Sequence, residues 1–357
     1  QENLHTLNPT IENIMTLSSG SIKECNTYAG VEIEDVSISD SSFTVRYRLS
    51  QVDTRIINNV VDYTNYVLYD IGQPLHAFDR DKLFGKISVR YAENNETLLT
   101  LDDQQRELSV NDLVITADNK PIALAGVMGG LESEVTTATT NLLIESAYFD
   151  KVSIMNTSRK LNLISDASIR FERGIDHNLQ LLGLNRFITI FKKDQDINYS
   201  TPAIDTKQKL ISNKVKFNRN EIYKLLGIKL DDNFISEMLA YLGIEFEISS
   251  TEISFQSPSW RYDLDRPVDL IEEFAKHYGF NNFESTLPIG VNKNDVGQYW
   301  HLKKELTTRL NGMGLYEIQS LSFVSEDSNS IFTPEKKSVE INNPIDQTNK
   351  FLRTNLF

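Results

Sequence analysis

The chain has 357 residues, 40% of them apolar and 24% charged, and carries a net charge of −14. Domains of roughly 100–200 residues make two or three the natural division, each able to bury a core, and the acidic balance excludes a protein that coats nucleic acid by general electrostatics, though not a local basic face. A single cysteine, Cys25, excludes a disulfide framework within the chain and makes the cytosol the natural compartment; the lack of any run of 18 or more apolar residues excludes a membrane-spanning helix.

Residues 1–20 are mostly polar and show no signal peptide. The chain begins at Gln1 and stops at Phe357 without a terminating loop, so both ends read as cuts in a longer polypeptide. Over residues 1–195 short apolar runs alternate with turn signals. Lys86–Tyr91, Leu113–Thr116, Ile122–Ala125 and Leu142–Ser146 are predicted strands. Helices are predicted over Val60–Ile71, closed by Gly72, over Val152–Leu161, and over Leu179–Lys193. This is an α+β pattern rather than a regular βαβ alternation. Residues 196–212 are polar and read as a linker. Residues 213–283 carry a helix from Arg219 to Leu226, capped by Asn218 and ended by Gly227, and a second helix from Asp231 or Asp232 to Gly243. Strands at Ile244–Ile248 and Ile253–Gln256 and a helix at Pro267–Tyr278 follow, a winged-helix-like layout. Residues 284–357 begin a further domain, with a helix at Tyr299–Leu310 and a strand at Glu317–Phe323.

Five stretches carry chemistry. In Gly72-Gln73-Pro74-Leu75-His76-Ala77-Phe78-Asp79, His76 follows a proline in a loop after a helix. It is either held at a pocket rim or satisfied by backbone carbonyls. Ala123–Gly130 runs apolar residues into Gly129-Gly130, which permit a close backbone approach to a ligand or form a tight turn. No Gly-Lys-Ser/Thr follows, so this is not a phosphate loop. Glu145 falls inside an apolar strand, where a carboxylate either reaches water at the strand end or serves as an acceptor in a pocket. Ser165–Gly174 combines small residues with Arg170 and Arg173, forked donors for carboxylate or phosphate or members of an ion-pair network. With Lys151, Arg159 and Lys160 these arginines make a basic cluster that Asp150, Asp166 and Glu172 can balance. In Pro258–Glu273, Asp269, Glu272 and Glu273 share a helical face, and Asp263 precedes it. Four carboxylates there suit Mg²⁺ or complement the helix N-terminus.

The order and spacing of these stretches, together with Val60-Val61-Asp62-Tyr63-Thr64-Asn65-Tyr66-Val67, Arg170–Asp176 and Ser259-Trp260-Arg261-Tyr262-Asp263, resemble the bacterial-type phenylalanyl-tRNA synthetase β-subunit family from about Cys25 to Phe357. The resemblance implies a mixed α/β editing domain over 1–195, a winged-helix-like domain, and the start of a class II synthetase-like domain over 284–357. It implies that His76 lies at the editing pocket and Gly129 forms its floor. It also implies that Glu145 accepts a hydrogen bond from the hydroxyl of a misattached tyrosine, and that Ser165 and Ala167 line the wall. Ser165 stands where the family usually has threonine. Asp263, Asp269, Glu272 and Glu273 are implied to bind Mg²⁺ near the contact with an α subunit. In that family the α subunit carries the ATP-dependent charging site, and the full enzyme is an α2β2 heterotetramer acting on tRNA(Phe) in the cytoplasm.

A synthetic site fitted to a phenyl ring cannot strongly reject a ring that adds a hydroxyl, so a second, hydrolytic site must select the hydroxyl. A buried carboxylate does this, because phenylalanine would leave it desolvated and unpaired. No Ser-His-Asp arrangement is visible near these residues, so positioning is expected to dominate, with His76 orienting water or the tRNA end. The alternatives are a non-catalytic scaffold that docks the α subunit and tRNA, and a free-standing editing factor. The chain alone is not expected to charge tRNA.

Overall fold

Buried strands dominate the N-terminal half of the chain. A computed structural model describes residues 9–210, 213–287 and 297–356. The chain divides into two compact units, Gln1–Phe283 and Glu284–Phe357.

The first unit begins with β1 (Thr16–Ser18), β2 (Cys25–Glu34), α1 (Phe43–Ser50), α2 (Asn59–Ile71) and β3 (Leu75–Asp79). It continues with β4 (Lys86–Tyr91), β5 (Thr97–Leu99), β6 (Gln105–Glu107), β7 (Leu113–Ala117), β8 (Lys120–Leu124), β9 (Met128–Gly129) and β10 (Leu142–Phe149). Then come α3 (Lys151–Lys160), α4 (Asp166–Arg173), α5 (Gln180–Phe191), β11 (Asn198–Tyr199) and β12 (Ala203–Thr206). One antiparallel sheet has the order β11-β2-β10-β3, with β12 also paired to β2. A second sheet has the order β1-β4-β7-β8-β9, parallel only between β1 and β4.

β2 and β10 are buried on both faces, and successive side chains enter different cores. Val31, Ile33, Leu142 and Ile144 pack with Val67, Leu184 and Phe187 of α2 and α5. Tyr28, Leu143, Ala147 and Phe149 pack with Ile87, Ile115 and Leu124 of the second sheet. Each large aliphatic side chain removed from water here contributes roughly 1.5–3 kcal/mol. Buried Glu32 on β2 is matched by Arg80, whose Nη1 lies 3.2 Å from its carboxylate, and accepts the backbone N–H groups of Ile14 and Met15 at 2.7 Å.

The predicted strands and helices of this region all form, but three stretches differ. The His76 stretch is a strand, not a loop, because β10 supplies its hydrogen-bonding edge. The polar stretch 196–212, read as a linker, contributes β11 and β12 to the edge of the first sheet; residues 211 and 212 lie outside the described residues. The stretch Ser165–Gly174, for which no element was predicted, holds α4: Ser165 caps it by accepting the N–H of Ser168 at 3.1 Å.

The remainder of this unit holds β13 (Lys214–Asn218), α6 (Asn220–Leu226), α7 (Asp232–Tyr241), β14 (Glu245–Ile248), β15 (Glu252–Gln256) and α8 (Pro267–Tyr278). A sheet of order β13-β15-β14 shares one core with the three helices, centred on Phe217, Leu239, Phe255, Leu270 and Phe274. Gly227 ends α6 in the left-handed conformation that an L side chain resists, and Asp231 caps α7. The strand β13 was not anticipated.

The second unit contains α9 (Gln298–Gly312), β16 (Phe323–Val324), α10 (Glu326–Phe332) and β17 (Phe351–Leu352), with β16 paired to β17. The strand expected at Glu317–Phe323 is reduced to its last residue. Residues 315–322 are exposed, and no neighbour among the described residues completes a ladder for them.

Candidate functional site: a cleft with an inner carboxyl recess

β3 and β10 are antiparallel neighbours in a register that sets His76 opposite Glu145. Across β10, Glu145 stands opposite Gly30 of β2. These residues share the sheet face that looks toward β7 and β8, since Leu143 and Ala147, two positions either side of Glu145, join the core of the second sheet. Gly129, the last residue of β9, lies against the imidazole: a Cβ there would sit 2.6 Å from Cε1 and 2.7 Å from Nε2 of His76. Only glycine permits this approach.

Two cavities meet at these residues. An outer cleft of about 590 Å3 is lined by Val61, Thr64, Asn65 and Leu68 of α2, by His76 and Gly129, and by Ser165 and Ala167 at the start of α4. A recess of about 70 Å3 leads inward, walled by Ile115, Leu124, Phe171 and Glu145. His76, Gly129 and Ala167 border both spaces. The sequence-predicted residues His76, Gly129, Ser165 and Ala167 are therefore brought together at the cleft, and Glu145 at its inner end.

Glu145 is 5% exposed, and its carboxyl receives no hydrogen bond among the described residues. Burial pushes it up to about 8, which favours the uncharged form at pH 7. Burial pushes the enclosed imidazole of His76 down to about 4, which leaves it neutral and stacked edge-on against Phe78 at 4.5 Å. The two groups thus face the cavities as neutral hydrogen-bonding partners, not as an ion pair. Ser165 is half committed to structure: its hydroxyl donates to the Val127 carbonyl at 2.8 Å while capping α4. That bond ties the helix start to the loop leading into Gly129.

Some residues of this region were not anticipated. Gln73 is fully buried, and its amide donates to the carbonyls of Pro74 at 3.0 Å and Ala147 at 3.2 Å while accepting from Gln180 at 3.2 Å. It clamps the strand carrying His76 to the strand carrying Glu145 just beyond the last ladder pair. Its position before Pro74 was the available signal. Arg55 and Asn58, in the loop ahead of α2, reach the cleft wall; Asn58 also caps α2 by accepting the Val61 N–H at 3.0 Å.

The four carboxylates expected to converge on Mg²⁺ do not do so. Both oxygens of Asp263 accept from Arg261, at 2.8 and 2.7 Å. Glu273 accepts from the same guanidinium at 3.0 Å and from Lys276 at 3.2 Å, and Glu272 pairs with Lys276 at 3.1 Å. Asp269 accepts the N–H of Arg266 at 2.9 Å, inside the first turn of α8, and its side chain at 2.6 Å. These partners hold Asp263 and Asp269 below the usual carboxylate range. Among the described residues no group of three or more His, Cys, Asp or Glu is placed to hold a metal ion. Arg261, Arg266 and Lys276 join these carboxylates in an ion-pair network.

The chain matches three family models in succession: the B3/4 domain over residues 24–195, the tRNA synthetase B5 domain over 215–280, and the phenylalanyl tRNA synthetase beta chain CLM domain over 283–357. Similar proteins include the phenylalanine–tRNA ligase beta subunits of Carboxydothermus hydrogenoformans (35% identical, covering 93% of this chain and 42% of the relative), Fusobacterium nucleatum (32%, 97% and 44%) and Staphylococcus haemolyticus (37%, 92% and 42%). The chain thus spans less than half the length of the relatives it matches. With three adjoining models and full-width similarity in agreement, the chain belongs to the phenylalanyl-tRNA synthetase β-chain family.

Proposed function

We propose that this chain is the editing portion of a phenylalanine–tRNA ligase β subunit, which hydrolyses tyrosine wrongly joined to tRNA(Phe). Glu145 carries this reading, as a buried carboxyl without a hydrogen-bond partner among the described residues, at the inner end of a recess opening beside His76 and Gly129. A tyrosine ring entering the recess brings a hydroxyl that can donate to and accept from a neutral carboxyl. Phenylalanine brings nothing and leaves the group unpaired, which costs about 1–3 kcal/mol.

Hydrolysis needs water to add to the ester carbonyl and a ribose oxygen of the terminal adenosine to leave with a proton. The neutral imidazole of His76 orients that water or the tRNA end. The N–H groups of Asp166 and Ala167, in the first turn of α4 beside the cleft, have no intrahelical acceptor and lie at the positive end of the helix. They suit the developing oxyanion. Positioning, not a nucleophilic side chain, supplies the rate.

The finer assignments are that residues 213–283 form a winged-helix-like module and that the chain supports an α subunit, which uses ATP to charge tRNA(Phe) in an α2β2 assembly of the cytoplasm. No step is assigned to Mg²⁺ at Asp263, Asp269, Glu272 and Glu273. The test is hydrolysis of preformed tyrosyl-tRNA(Phe) and phenylalanyl-tRNA(Phe) by the chain. Selective loss of the tyrosyl ester is expected; equal rates for both esters would refute the assignment.

A further inference from the structure

We infer that α1 and the outer side of α2 form a stacking platform for single-stranded RNA, holding the nucleotides that precede the terminal adenosine while the ester occupies the cleft. The inference rests on the hydrolytic reading above and adds the path by which the RNA arrives. α1 buries only Val45 and Leu49. On its open side Phe43 and Tyr47 are 75% and 56% exposed, with rings 6.1 Å apart and 18° from parallel. Aromatic faces displayed in this way are available to bases, and stacking is tolerant of base identity.

Arginines accompany the rings. Arg48 donates to the Tyr66 hydroxyl and lies over that ring at 5.8 Å. Tyr69 follows the cleft-lining Leu68 and carries Arg170 over its ring at 4.9 Å. Arg170 stands one turn beyond Asp166, which borders the cleft. Arg46 and Arg170 are paired with Asp40 and Asp166, at 3.3 and 3.4 Å, whereas Arg48 has no acidic partner among the described residues. In a chain of net charge −14, a strip of aromatic rings and arginines is where a polyanion can approach. The strip reaches the cleft edge along α2: the loop after α1 enters the cleft wall at Ile57 and Asn58, Val61, Asn65 and Leu68 of α2 line the cleft, and Tyr69 stands next to Leu68. A protein partner could also use such residues, but on the hydrolytic reading the cleft takes an RNA end, and an RNA strand leading to it favours these residues.

The experiment measures binding of a fluorescent ACCA tetranucleotide to the 357-residue chain by anisotropy across a salt series. The variants are Phe43→Ser with Tyr47→Ser, and Arg48→Gln alone, each checked for an unchanged melting temperature. The double variant is expected to weaken binding about tenfold, and Arg48→Gln to reduce the salt slope by about one. In hydrolysis assays the double variant should raise KM for tyrosyl-tRNA(Phe) at unchanged kcat, and leave hydrolysis of tyrosyl-adenosine unaltered. Failure of the unmodified chain to bind the tetranucleotide, or equal binding by the variants, overturns the platform. If the chain binds the tetranucleotide through these residues but hydrolyses neither ester, the editing reading falls and the platform stands.

Discussion

At the scale of residues, the site is a set of close approaches. Gly129 has no room for a Cβ beneath His76, so Gly129→Ala must displace the imidazole from the cleft wall. Hydrolysis of tyrosyl-tRNA(Phe) should fall by about tenfold or more, as misplacement by an ångström costs, with only a small change in melting temperature. The paired neutral groups also predict opposite pH dependences of stability. Glu145 is raised from 4.5 to about 8, so between these values the folded state holds a proton that the unfolded chain releases, and stability falls as pH rises. His76 is lowered from 6.5 to about 4, so between those values the unfolded chain binds the extra proton, and stability rises with pH. Each slope is at most about 1.4 kcal/mol per pH unit. The two oppose each other from about 4.5 to 6.5, and Glu145 acts alone from 6.5 to 8. Denaturant titrations should show Glu145→Gln abolishing the decline above pH 6.5; an unchanged decline would place the titrating group elsewhere.

At the scale of elements, the sequence showed most helices and the strands β4, β7 and β8 of the second sheet, because Gly72 and Gly227 and the alternation in Lys86–Tyr91 are local signals. It did not show β2, whose run from Cys25 to Glu34 is buried on both faces and so lacks alternation, and whose Glu32 pairs with the distant Arg80. Nor did it show that His76 rides on a strand: Gly72, Gln73 and Pro74 read as a loop, and the partner of β3 lies about seventy residues further on. The individual site residues were legible one by one; the facing of His76 and Glu145 was a property of that non-local register. Two substitutions test the elements that hold it. Gln73→Leu leaves the Pro74 and Ala147 carbonyls without this donor and should destabilise the first unit by about 2–3 kcal/mol in urea unfolding. Ser165→Ala removes the cap of α4 and its tie to Val127, at about 1 kcal/mol, while Ser165→Thr should retain both.

At the scale of the whole molecule, two sheets pressed face to face make the inner recess, and helices α2 and α4 make the outer cleft over its mouth. On the proposed reading the arrangement separates two demands: the recess would read a side chain, and the cleft would position an ester. The carboxylate face of α8 is set by local partners. Asp269, Glu272 and Glu273 share one side of the helix, where Lys276, one turn on, pairs with Glu272 and Glu273, and Arg261, in the preceding loop, pairs with Glu273. The central claim is that Glu145 selects the tyrosyl hydroxyl. The most direct measurement is the ratio of tyrosyl-tRNA(Phe) to phenylalanyl-tRNA(Phe) hydrolysis by the unmodified chain and by Glu145→Ala. A preference for the tyrosyl ester that drops at least about tenfold in the variant, as loss of a buried hydrogen-bonding partner predicts, supports the account; an unchanged preference with the fold intact contradicts it.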